Sequence, residues 1–361
     1  MPIIEPAHSF LRGCRCCAGP HGISRRGLFA GAAALSAIAA THAVAQPATT
    51  PTAQTPPHRI DVHHHVAPPV WVSSLKSVKM DSPPVNNWTP ERSLAEMDRG
   101  GIATSILSVT QPALSYLGPK DGASMARACN EYAKSLTVAH PGRFGMFAVL
   151  PMPHVDETLA EIAYALDVLK ADGVAFMTSY GNNWLGAKAF EPVMDELHRR
   201  KAVAYTHPNT PDCCVNLVGL PGTAIEYGTD TTRTIANLIF SGASARSKDI
   251  KFIFSHAGGT VTAITERLSV QMVATPEYKA FTGPGVMAEL KRFYYDTAQA
   301  SNPIAMGSLT RMVATEQILF GTDYPYRTAP EQVRGLQEVF GPEALKLIER
   351  GNAQRLLPRW A

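Results

Sequence analysis

The segment His58-Arg-Ile-Asp-Val-His-His-His-Val-Ala-Pro-Pro69 constrains the fold of this chain more than any other. Ile60 to His65 reads as a short strand, and successive side chains on a strand point to opposite faces. That alternation groups Asp61, His63 and His65 on one face and Val62 with His64 on the other. Two imidazoles at i and i+2, on a strand stopped by a proline pair, make half of a metal site. A polar strand end with chance histidines is the plain alternative, so the rest of the chain must supply the other half.

Downstream, short apolar strands alternate with amphipathic helical stretches. The strands predicted after Ile60–His65 are Thr104–Val109, Phe144–Leu150, Gly173–Thr178, Val203–His207, Lys251–His256, Phe293–Thr297 and Gln317–Asp323. Helices are predicted over Glu91–Arg99, Ala123–His140, Asp156–Lys170, Phe190–Arg200, Thr231–Phe240 and Val261–Ala274, with closing helices from Glu343 to Leu357. Eight strands with helical crossovers imply an α/β chain of the (β/α)8 TIM-barrel class. A doubly wound open sheet would want a glycine-rich phosphate turn after its first strand, where this chain has His63-His64-His65.

In such a barrel the residues ending the strands converge on one rim. His207 ends the fifth predicted strand, His256 the sixth and Asp323 the eighth. A single buried histidine is usually a satisfied core residue. Four histidines and an aspartate, all at strand ends of one barrel, point instead to a divalent metal.

The barrel is assigned to residues 58–361, behind a signal (1–45) and a linker (46–57). Ser24-Arg25-Arg26-Gly27-Leu28-Phe29 precedes an Ala-rich apolar run, and Ala43-Val44-Ala45 follows it. Paired arginines, a modest apolar run and an A-x-A site form a twin-arginine secretory signal, which predicts a periplasmic or secreted protein. The apolar run is too short and too Ala-rich for a membrane span, so no membrane association is expected after its removal. Gln46–Pro57, rich in Pro and Thr, reads as a flexible tether. With 45% hydrophobic and 17% charged residues and a formal charge of +3, the 361-residue chain can bury a large core. No run of Lys and Arg in its body suggests a nucleic-acid or membrane partner. Of six cysteines, three leave with the leader; Cys129, Cys213 and Cys214 make no disulfide framework.

Taken together, Asp61-x-His63-x-His65, His207-Pro208, His256-Ala-Gly-Gly259, Gly321-Thr-Asp323-Tyr-Pro325 and Gly351-Asn-Ala353 resemble the amidohydrolase superfamily. H-x-H alone marks the superfamily. The H-x-G-G and G-T-D-Y-P pair resembles its aminocarboxymuconate-semialdehyde decarboxylase branch, and Asp212-Cys213-Cys214 with Asp230-Thr-Thr-Arg233 resembles the 6-methylsalicylate decarboxylase-like members. The resemblance implies a metal-dependent hydrolase-type barrel in which His63, His65, His207 and Asp323 hold one divalent ion, zinc or alternatively manganese. It also implies that His256 handles protons beside metal-bound water. Strand four, Gly173-Val-Ala-Phe-Met-Thr178, lacks the lysine that dinuclear relatives carboxylate, which implies a mononuclear site. Arg92 is the nearest counterpart, one position out of register, of a substrate arginine in that branch. Arg267 stands eleven residues after His256, the interval of an arginine that crosses a dimer interface to the partner's substrate, which implies a homodimer.

The expected activity is non-oxidative decarboxylation of a small aromatic or unsaturated carboxylic acid, salicylate-like by preference. His256 or Asp323 would supply the proton. Hydrolysis of a lactone or amide is the alternative, since a metal can also lower the pKa of bound water. Trp88, Tyr116, Tyr180, Trp184 and Tyr326, in or near loops after the strands, suggest a planar substrate, with Trp184 taken as a substrate contact.

Overall fold

In the computed structural model the described residues are 56–211, 219–279 and 285–361. The signal, the linker up to residue 55 and the Cys213-Cys214 pair lie outside them. Eight parallel strands follow one another around a sheet in chain order. They are β1 (Arg59–His65), β2 (Ile102–Ser108), β3 (Phe144–Val149), β4 (Gly173–Met177), β5 (Val203–His207), β6 (Lys251–Phe254), β7 (Tyr294–Asp296) and β8 (Ile318–Leu319). The chain beyond β8 then bonds back to β1, closing the barrel. Phe320 O accepts from Val62 N at 3.0 Å, Asp323 N donates to His63 O at 2.8 Å, and Tyr324 O accepts from His65 N at 2.8 Å.

A helix follows each strand: α1 (Pro90–Arg99), α2 (Pro119–Ala139), α3 (Val155–Ala163), α4 (Glu191–Arg199), α5 (Glu226–Phe240), α6 (Val261–Glu266), α7 (Pro303–Met312) and α8 (Ala329–Gln337). Their starts follow local chemistry. Pro90 and Pro303 occupy first helical positions, where a missing N–H costs nothing, and the preceding Thr89 and Asn302 side chains accept backbone N–H groups of the first turn. The first six coincide with predicted helices; α7, α8, a loop helix at Pro69–Ser77 and a hairpin pairing Ser179–Tyr180 with Asn183–Trp184 are additional.

Period-two alternation divides the core into two layers. On β6, Ile253 joins an inner cluster with Ile60, Val62, Ile106, Phe147 and Tyr205, while Phe252 and Phe254 belong to the layer between sheet and helices. Along β5 the inward series is Val203, Tyr205 and then His207, so the histidine enters the barrel above a stacked Tyr205–Phe147 floor. Below, Asn352 of the closing helices donates to the carbonyls of Thr315 and Ile318 at 2.7 Å each.

Candidate metal centre

One bulge decides what β1 offers to the rim. Its register slips by one residue between Asp61 and His64 against β2, and a bulge re-aims the side chains beyond it. Ile60 and Val62 pack inside the barrel, and so do His63 and His65 after the slip. The expected face of Asp61, His63 and His65 is therefore corrected. Asp61 instead accepts from the Thr322 hydroxyl at 2.6 Å and pairs with His64 Nδ1 at 3.0 Å. His64 reaches Ser93 Oγ of α1 at 2.6 Å and stacks on Tyr324. This third histidine ties β1 to its neighbours.

His63, His65, His207 and Asp323 each present one donor atom, all within 4.8 Å of one another, and all four residues are at most 2% exposed. Asp323 Oδ1 lies 3.1 Å from His63 Nε2 and 3.0 Å from His65 Nε2. The two Nε2 atoms are 3.2 Å apart. Three nitrogens and a carboxylate oxygen aimed at one point suit a divalent transition metal. The far side of each ring is anchored: His63 Nδ1 to Asp296 Oδ2 at 2.8 Å, His207 Nδ1 to Pro208 O at 2.9 Å, and His65 Nδ1 to Ser108 O at 3.3 Å. Such contacts fix the ring orientation a metal needs.

The electrostatics match this donor set. Burial works against a charged His63, but the Asp296 and Asp323 carboxylates override it and raise its pKa to about 10. Burial lowers His65 and takes His207 well below the ordinary imidazole value, favouring their neutral, ligating form. For Asp323 burial acts upward, yet the neighbouring histidines, His63 foremost, hold its carboxyl well below the usual range.

His256 and Asp323 were expected to close strands, but each stands beyond one, because β6 ends at Phe254 and β8 at Leu319. Both have left-handed backbone, φ 53° and 63°, which breaks the ladder and turns the side chain off the strand. Gly321 permits the last turn: a Cβ there would lie 2.9 Å from His63 Cβ. His256 Nε2 is 3.5 Å from Asp323 Oδ2, and it is a buried ring nitrogen without a hydrogen bond among the described residues. Asp296, which the sequence reading missed, organises the whole group. One of its oxygens holds His63, and the other accepts from the backbone of His256 at 2.9 Å and of Ala298 at 3.0 Å. Its position at the end of β7 was the available signal.

A cavity of about 510 Å³ opens over the cluster, reaching His207, His256 and Asp323 and bounded by Gln111, Tyr227 and Tyr326. Gln299 also borders it and donates to Asp323 Oδ2. Arg92 and Trp184, predicted as substrate contacts, do not border it, and Arg267, predicted to reach a partner's cavity, faces outward. Arg92 is exposed and donates to Asn87 O at 2.9 Å. Arg267 is exposed where α6 ends, with no ion-pair partner among the described residues. Trp184 donates to Asp230 Oδ1 at 2.7 Å, because the hairpin after β4 turns its indole toward α5. Tyr180 accepts from Met177 N and Tyr116 donates to Ser74, so of the five aromatics proposed only Tyr326 borders the cavity.

A family model described as amidohydrolase matches residues 60–359. The decarboxylase yanB of Aspergillus niger is 37% identical, over 84% of this chain and 88% of that protein. The 6-methylsalicylic acid decarboxylase of Penicillium expansum is 34% identical, over 83% of this chain and 96% of that protein. Among solved structures, a dihydroxybenzoic acid decarboxylase from Polaromonas sp. JS666, holding manganese and the inhibitor 2-nitroresorcinol, superposes with a TM-score of 0.73. It is 20% identical and covers 83% of this chain and 97% of that one.

Proposed function

This chain belongs to the amidohydrolase family, and on that premise we propose that it is a metal-dependent, non-oxidative decarboxylase of a small aromatic carboxylic acid, a carboxy-lyase. One observation carries the reading. A buried three-histidine, one-aspartate cluster opens onto a cavity of about 510 Å³, roomy enough for a small aromatic acid, in a chain whose relatives at 34% and 37% identity are named decarboxylases. The lactone or amide hydrolase that the same donors would allow is not what those relatives are named for.

A divalent ion held by His63, His65, His207 and Asp323 would supply Lewis acidity toward the substrate's carboxylate oxygens. The chain's own residues do the rest. Asp296 and Asp61 keep β1 and the turn after β8 in register around the cluster. His256, with its free Nε2 at the cavity, delivers a proton to the ring carbon as its bond to the carboxylate carbon breaks and carbon dioxide leaves. A protonated imidazole donates from a ring nitrogen, the kind of proton donor this step needs. Asp323, engaged by His63 and His65 at one oxygen and by Gln299 at the other, serves as ligand rather than acid. For the ion, zinc follows from the sequence resemblance and manganese from the Polaromonas structure; a set of three nitrogens and one oxygen accepts either. Arg267, exposed just past the end of α6, we assign to the cavity of a second copy in a homodimer.

The test is direct. Protein loaded with zinc or with manganese is incubated with 6-methylsalicylate, and headspace carbon dioxide and 3-methylphenol are measured. Stoichiometric gas and phenol are expected. Metal-loaded protein that releases no carbon dioxide from any acid of a broad aromatic panel rejects the reading.

A further inference from the structure

The three ligating rings are not anchored alike. His63 has a carboxylate, Asp296, directly behind its Nδ1, whereas His207 gives its Nδ1–H to Pro208 O of its own chain at 2.9 Å. A bond to the next residue holds the ring only as firmly as that peptide group is itself held. Pro208 has no N–H with which to tie the turn down.

The Pro208–Asn209 peptide is held from its other edge. Asn209 N–H, in the same planar unit as Pro208 O, donates to the hydroxyl oxygen of Thr178 at 3.1 Å. Thr178 lies just past β4, and its own N–H donates to His207 O at 2.9 Å. A hydroxyl has one proton to give, and Thr178 gives it to Asp230 Oδ2 in the second turn of α5. The bonds therefore all run one way: from His207 Nδ1–H through the peptide and the hydroxyl to a fully buried carboxylate. Bonds aligned in this way polarise one another, and the charge at the end keeps a hydroxyl lone pair turned toward Asn209. Ser179 donates to the same carboxylate oxygen at 2.8 Å and Trp184 to the other at 2.7 Å, so both secure Asp230 without lying on the path.

We propose that Asp230 and Thr178 are positioning residues for the metal. They hold His207 in its ligating orientation through the Pro208–Asn209 peptide, as Asp296 holds His63 directly. This rests on the metal centre of the decarboxylase reading and gives Asp230 a role that the substrate chemistry does not. Loss of an outer partner of a ligating histidine weakens metal binding roughly 10- to 100-fold.

Zinc affinity, read by competition with a chromophoric chelator, tests this without turnover. Thr178→Val keeps the shape of the side chain and removes the hydroxyl, so zinc should bind roughly 10- to 100-fold more weakly. Thr178→Ser keeps the hydroxyl and should stay within about threefold of wild type. Trp184→Phe should do the same although it strips a donor from Asp230, because the indole lies off the path. Asp230→Asn keeps size and should match Thr178→Val; it carries the test if Thr178→Val does not fold. The double variant should bind zinc no more weakly than the worse single one, since both break one path. Wild-type affinity in folded Thr178→Val or Asp230→Asn overturns the assignment, as does equal weakening in Thr178→Ser and Thr178→Val. A loss in Trp184→Phe equal to that in Asp230→Asn also overturns it, reducing Asp230 to an anchor for the hairpin. Protein that binds zinc with these ratios but releases carbon dioxide from no acid rejects the decarboxylase reading and keeps this one. Unchanged zinc affinity in the variants of an active enzyme rejects this one alone.

Discussion

The two sides of the rim are built on opposite principles. On the β1, β7 and β8 side the buried polar groups have partners: Asp296 holds His63, Thr322 holds Asp61, and Asp323 is shared among histidines. On the cavity side, His256 keeps a ring nitrogen without a hydrogen bond, and Gln111, Tyr227 and Tyr326 are only half buried. Saturated bonding fixes ligands before the ion arrives, whereas the unspent His256 nitrogen is what a substrate can use. Substitutions on the two sides should therefore fail differently: the first through metal content, the second through turnover or binding with metal in place.

The largest effect is expected from His207→Ala, which takes one ligand from a site that has four. Bound metal measured by emission spectroscopy should fall to background and activity should vanish. Full metal with full activity would remove His207 from the ligand set. His256→Ala should break the other side alone. Metal stays, and kcat drops by roughly 10²–10⁴-fold, the usual contribution of a general acid. Metal loss equal to that of His207→Ala would make His256 a ligand and erase the contrast.

Asp296→Asn sharpens the comparison, since the change keeps size and removes charge. Metal affinity should weaken roughly 10- to 100-fold, as expected when an outer partner of a ligating histidine is lost. Competition with a chromophoric chelator measures it, and an unchanged affinity would reduce Asp296 to a backbone anchor for His256. A smaller, pH-dependent effect follows from the same carboxylates. Metal-free His63 has its pKa raised to about 10, so it carries a proton at pH 8 that a bound ion must displace. His65 and His207, shifted downward, release none. The sign is that metal binding strengthens as pH rises toward 10, by about tenfold per unit from this one proton. Calorimetry at pH 8 in two buffers of different ionisation heat should give about one proton released per ion; none, or two or more, contradicts the charge state assigned to His63.

Much of the metal side was legible in the sequence. Short strands alternating with helices announce a barrel, and a barrel brings strand-end residues to one rim, so His63, His65, His207, His256 and Asp323 could be grouped before any coordinates, while the family resemblance alone set His256 apart from the ligands. The bulge at Asp61–His64 could not be read, because alternation along Ile60–His65 gives Asp61 the wrong face and only the pairing with β2 reveals the slip. Asp296 lay in plain view at a strand end but, in Tyr294-Tyr-Asp296, without a histidine beside it. The cavity wall was harder still. Gln111 is a single polar residue before a proline, and Tyr227 sits in a first helical turn, so neither carries a periodic signal. Arg92 and Trp184 show the converse: side chains suited to a carboxylate or ring do not reveal which way their elements face.

Trp184 supplies the last and smallest test, because it lies on neither side of the rim. Its indole donates to Asp230, a fully buried carboxylate that also accepts from the hydroxyls of Thr178 and Ser179. The contact pins the short hairpin after β4 to α5, the helix that carries Tyr227. Trp184→Phe keeps an aromatic ring but removes one of three donors to a buried charge. Hydrogen bonds to charged groups contribute about 1.5–3 kcal/mol. Two donors remain on Asp230 and the indole is partly exposed, so a loss of about 1–2 kcal/mol in unfolding free energy is expected, visible in a urea titration. Binding should hardly change: KM for 6-methylsalicylate should stay within about threefold, since the ring lies outside the cavity. A tenfold rise in KM at unchanged stability would return Trp184 to the substrate contacts and would mean that the cavity extends across the hairpin.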